Sequence, residues 1–185
     1  MTIESETLIR DLIERTRINI NQAEKFNLQT IDRLDFRNGE NSWSILECFE
    51  HLNLYGDFYI PEIETKTNSS KTLPTTNFKS GVLGNYFAKS MLPKEKLNKM
   101  KTFKDKNPIR RALDKKTIDC FILQQERILD LLDKSRNINL NRTKTAISIS
   151  KLIKLKLGDT FRVVVYHNER HIVQANNILA GKASR

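Results

Sequence analysis

His51, His167 and His171 are the only histidines in 185 residues. The last two stand four positions apart in the stretch YHNERH, so on a helix they share one face a single turn apart. Two imidazoles so placed can reach one ion, each at roughly 2.0–2.1 Å if the metal is zinc. The same spacing also suits two polar residues on a solvated face, so the surroundings matter. The stripe through His167 contains Val163, Val164, Gln174 and Ile178, and the stripe through His51 contains Leu54, Tyr55 and Phe58. Both stripes point inward. A buried imidazole without a partner costs free energy, so the three either converge on a metal or are satisfied one by one. The residues alone leave both readings open.

Other side chains near these stripes could take part. Glu47, one turn before His51, could serve as a general base or orient an imidazole, or could cap its helix through the pattern Ser44–Glu47. Cys48 could be a fourth ligand, although small buried filler is the simpler role. Arg170 could hold an anionic substrate at a pocket mouth or pair with a surface carboxylate. Gln174 could hydrogen-bond near the metal, and Trp43 reads as packing at a helix start.

The elements that must position these groups are mostly helical. Residues 4–27 repeat Leu8, Leu12, Ile13, Ile20 and Ala23 at helical spacing. A connector over 27–42 follows, and a second helix begins at Ser42 or Ser44 and runs to Glu64, with Gly56 and Pro61 as points of bending. Residues 67–108 keep no single period and read as a long crossover with short helices, one of them starting at Pro93. A third long helix is expected over 109–134. Residues 137–156 are irregular or extended. A last helix spans Gly158 to Leu179, with Asp159 as its N-cap. Four long helices and one crossover make an all-α four-helix bundle, a single domain over 1–185.

No apolar run approaches the length of a bilayer span, so no membrane partner is expected, and two cysteines without a disulfide framework suit a cytoplasmic setting. The net charge of +10 is uneven. Residues 1–65 carry 6 basic and 13 acidic side chains, 89–116 carry 11 and 3, and 134–162 carry 8 and 1. Such blocks read first as solvated basic surface. The run KMKTFKDK sets lysines beside Met100 and Phe103, which admits a basic nucleic-acid-binding accessory role as the lesser alternative.

The segment WSILECFEHLN, with Trp43 eight residues before His51, resembles the second-helix motif of the DinB-like (DinB/YfiT) superfamily. HNERHIVQ resembles that family's last-helix motif, two histidines separated by three residues and followed by a glutamine. The order of the motifs, KMKTF between them and the LGD that opens the last helix also fit. The resemblance implies an up-down-down-up bundle, a divalent metal ion (zinc or nickel) on His51, His167 and His171, and a homodimer. It also implies a metal-dependent transferase, of the thiol S-transferase type, or a hydrolase. The substrate would be a small molecule, a low-molecular-weight thiol or an anionic compound. Proteins that bind metal on this bundle without catalysis are the alternative it leaves.

Overall fold

The computed structural model describes residues 1–93 and 101–181. Four long helices dominate: α1 (Ser5–Asn27), α3 (Ile45–Ser69), α5 (Lys116–Lys134) and α6 (Leu157–Leu179). Two shorter ones, α2 (Ile31–Asp35) and α4 (Val82–Met91), lie in the connections. In cross-section the long helices follow the ring α1, α5, α3, α6.

Side-chain pairs between neighbours give the directions. Glu6 at the start of α1 meets Arg136 just past the end of α5, while Asn27 at the end of α1 meets Asp119 at the start of α5, so these two run antiparallel. Asn53 meets Thr117 and Glu64 meets Arg127, so α3 and α5 run parallel. Leu8 and Leu12 pack in one apolar cluster with Phe161 and Val165, and Ala23 and Phe26 in a second with Ile172 and Ile178, so α1 and α6 run parallel. The topology is up-down-down-up. Over Gly56 on α3 lies the end of the Gln124 side chain from α5, which donates to the Asn53 carbonyl at 3.2 Å and to Asp57 at 2.9 Å.

The second helix starts through a full capping box. Ser44 Oγ accepts from the Glu47 amide at 3.2 Å, and Glu47 Oε2 accepts from the Ser44 amide at 2.7 Å. It continues unbroken through Gly56 and Pro61 to Ser69.

Two expectations need correction. The third long helix begins at Lys116 rather than near 109. Arg110 has a positive φ of 62°, and its amide donates to Glu47, so this stretch is held against α3 instead of joining the helix. Asp159 is no N-cap. The last helix begins at Leu157 with Lys156 at the cap position and no side-chain cap bond. The Asp159 carboxylate instead binds Ser80 Oγ, the Gly81 amide at 2.8 Å and Arg162 at 3.0 Å, tying the crossover to α6. The extended residues before α6 form a hairpin, β3 (Lys144–Ile147) with β4 (Ser150–Lys156), and a second small pair joins β1 (Thr2–Glu4) to β2 (Asn77–Lys79). The helix expected from Pro93 falls on residues outside those described. No helix among the described residues is long and apolar enough to cross a membrane.

Candidate metal centre

Between the two apolar clusters the bundle carries a polar layer. Tyr166 belongs to one cluster and Ile172 to the other, and His167 and His171 fall at the step between them. Asn168 donates to Gln125 at 2.7 Å in the same layer. From α3, His51 faces both α6 histidines. The ring centroids lie 5.1 Å apart for His51 and His167, 4.6 Å for His51 and His171, and 4.7 Å for His167 and His171. One ligand nitrogen from each lies within 4.8 Å of the others, so the three could hold a metal ion. His51 and His167 are buried, and the ring of His171 is enclosed with them although the residue as a whole is half-buried.

For His51 and His171 the nitrogen presented is set by the bond of the other one. His51 Nδ1 lies 2.7 Å from the Lys106 carbonyl oxygen, an atom that can only accept, so Nδ1 carries the proton and Nε2 keeps a lone pair. His171 Nδ1 lies 2.9 Å from Gln174 Oε1, with the same result. His51 Nε2 and His167 Nε2 approach to 3.3 Å. This is the outer-shell support that metal-ligating histidines ordinarily have, supplied here by a backbone carbonyl and a side-chain amide.

Electrostatics keep the rings neutral. Burial pushes His51 down to about 4, against the Lys106 carbonyl and with a further push from the Lys106 ammonium. Burial also holds His167 well below the ordinary value, with His51 and Arg170 adding to it. His171 is held low by burial and then by His167, His51 and Arg170, against the opposing bond to Gln174. Neutral imidazole is the form that binds metal.

Two aromatic rings close over the group. Trp43 stands 4.7 Å from the His51 ring and 5.7 Å from the His171 ring. Its Nε1 donates to Asn107 Oδ1 at 3.1 Å. Tyr55 stands 5.0 Å from His51 and 4.8 Å from His167, and its phenol is pushed up to about 12 by burial, Tyr59 and Asp105.

Trp43 is therefore a cover for the histidines and not simply core packing. Glu47 belongs to the helix cap and to Arg37, which reaches its two oxygens at 3.0 and 2.8 Å; the partner of His51 Nδ1 is Lys106. Cys48 packs with Ala23, Phe26 and Phe49 in the second apolar cluster, outside the histidine group, and burial raises its thiol. Arg170 is buried, so it does not sit at a pocket mouth. The sequence places Tyr55 on the His51 stripe, four positions on, but gives no sign of its part beside the histidines. It had no signal for Lys106, which acts through its backbone.

The family model of the DinB superfamily matches residues 14–175, a span that includes all three histidines. No curated protein and no solved structure matches the chain.

Proposed function

The chain belongs to the DinB superfamily, and from that premise we propose that it holds one divalent ion, zinc or nickel, on His51, His167 and His171. We read its activity as that of a metal-dependent transferase of the thiol S-transferase type, or a hydrolase, on a small molecule. The observation that carries this reading is the pair of Nδ1 bonds to Lys106 and Gln174, which leave Nε2 lone pairs aimed into a shared space. The 3.3 Å approach of His51 to His167 is close to the roughly 3.4 Å between donors of a tetrahedral ion at zinc–nitrogen distances. The group found among the described residues consists of these three alone. Three neutral donors leave positions for an outside molecule, as in catalytic rather than closed structural sites.

When bound, such an ion supplies Lewis acidity at its open positions. The chain's own residues do the rest. Lys106 and Gln174 fix the tautomers, Trp43 and Tyr55 exclude water, and Tyr55 keeps a proton on Oη at neutral pH beside two of the histidines. The working assembly in this reading is a homodimer.

Cobalt-loaded protein titrated with a small thiol should develop a sulfur-to-metal charge-transfer band, and Cys48→Ser should respond alike. A band present before thiol and lost in Cys48→Ser would make the site closed and the transferase reading wrong. No band with any thiol would favour the alternative that the aromatic cover suggests, metal binding without catalysis.

A further inference from the structure

The crossover and the β3–β4 hairpin meet at the end of the bundle away from the histidines. The first part of the crossover, residues 66–93, and the stretch 134–158 that holds the hairpin include lysines and arginines but no Asp or Glu. Lys144 and Lys156 are direct cross-strand partners, a pairing of like charges that weakens a hairpin on its own. The Lys156 ammonium donates to the Lys79 carbonyl at 2.6 Å, which brings exposed Lys79 to the same corner. Lys154, two residues before Lys156 on the same strand, is exposed as well. Of the carboxylates beside this corner, Asp159 pairs with Arg162, Glu62 accepts from the Ala146 amide at 2.8 Å, and exposed Glu4 on β1 accepts from Thr7 at 2.9 Å.

Aliphatic side chains stand out of the same corner. The register of β3 and β4 shifts between Ala146 and Ile147, and in the irregular stretch opposite it Leu152 is 94% exposed. Ile149 at the hairpin turn is half exposed. Gly81 packs by the Lys156 side chain, and the next residue, Val82, is 94% exposed at the start of α4. Lysines with strongly exposed aliphatics are the composition of an interfacial membrane contact, where ammonium groups meet anionic headgroups and short apolar tips enter beneath them. Nucleic-acid grooves call for aromatic stacking surfaces and forked guanidinium donors; exposed Tyr86, one turn after Val82, and Arg142 suit either surface, while the exposed aliphatics of the hairpin suit only the bilayer.

We propose that this corner docks on an anionic lipid bilayer, with Lys79, Lys144, Lys154 and Lys156 on the headgroups and Ile149, Leu152 and Val82 in the interfacial layer. The contact is peripheral and needs no membrane-crossing helix. It departs from the expectation of no membrane partner, and it does not depend on the metal reading. The whole chain should sediment with phosphatidylglycerol-containing vesicles at low ionic strength and not with pure phosphatidylcholine vesicles. The double change Lys144→Gln with Lys154→Gln should lower partitioning by about thirtyfold, since each lysine near such a surface contributes about fivefold. Leu152→Asn should lower it at constant charge, with an unchanged circular dichroism spectrum. Failure to bind the anionic vesicles would overturn the proposal. So would binding that Leu152→Asn leaves intact and duplex DNA competes away, which would mark a general polyanion surface.

Discussion

His51 donates its Nδ1–H to the backbone carbonyl of Lys106 across 2.7 Å, linking residues 55 positions apart in the chain. The bond fastens the end of the crossover to the ring it orients. Asn107 holds Trp43 from the same segment, and the Arg110 amide holds Glu47. The segment therefore acts as a strap across the start of α3, and its hold on His51 comes from the main chain.

On α6 the equivalent support is a side chain and can be removed. Gln174→Ala takes away the acceptor of His171 Nδ1, 2.9 Å away. Metal affinity should fall about 10- to 100-fold while the fold is kept, because loss of an outer-shell partner loosens a ligand without deleting it. Competition with a chromophoric chelator reads this directly. An unchanged affinity would mean that Gln174 does not orient the ring.

The single tryptophan reports on the site. Trp43 lies 4.7 Å from His51 and 5.7 Å from His171, so a paramagnetic ion held by the histidines should quench its emission. Nickel or cobalt titrations should quench Trp43 to a plateau at one equivalent, and His167→Ala should remove the plateau. Quenching that persists in His167→Ala would place the ion elsewhere.

Glu47 gives a dependence on acid. Its burial opposes ionisation, but Arg37 and the amides of Ser44 and Arg110 outweigh burial, so the folded carboxyl titrates below its ordinary value. The stabilisation is complete above the ordinary carboxylate range and is lost as pH falls through the folded value. Glu47→Gln should cost about 1–3 kcal/mol at neutral pH. In urea unfolding the gap from wild type should narrow below about pH 4. A gap constant with pH would show that the charge contributes nothing.

Much of this was readable from residue types. The long helices follow from apolar spacing and the start of α3 from Ser44 and Glu47, whereas the two inward stripes alone left a shared histidine group and separately satisfied histidines both open. The rest depends on contacts that leave no local mark. Arg110 ends up in a left-handed conformation because its amide is drawn to Glu47, so helical propensity after 109 is overridden. Asp159 has the right type for a cap, but the helix starts two residues before it, and its carboxylate is taken by Arg162, Ser80 and Gly81. The strand-like alternation before α6 covers too few residues to name a partner strand, and the pairing of β3 with β4 rests on a turn and a bulge. Lys106 orients His51 with an atom that every residue has.

The three-histidine site is tested by elemental analysis of the purified chain beside its His51→Ala variant, after dialysis against a weak chelator. One divalent ion is expected per wild-type chain and nearly none in the variant, since two imidazoles rarely hold an ion against a chelator. Equal metal content in the two proteins would contradict a site built on His51, His167 and His171.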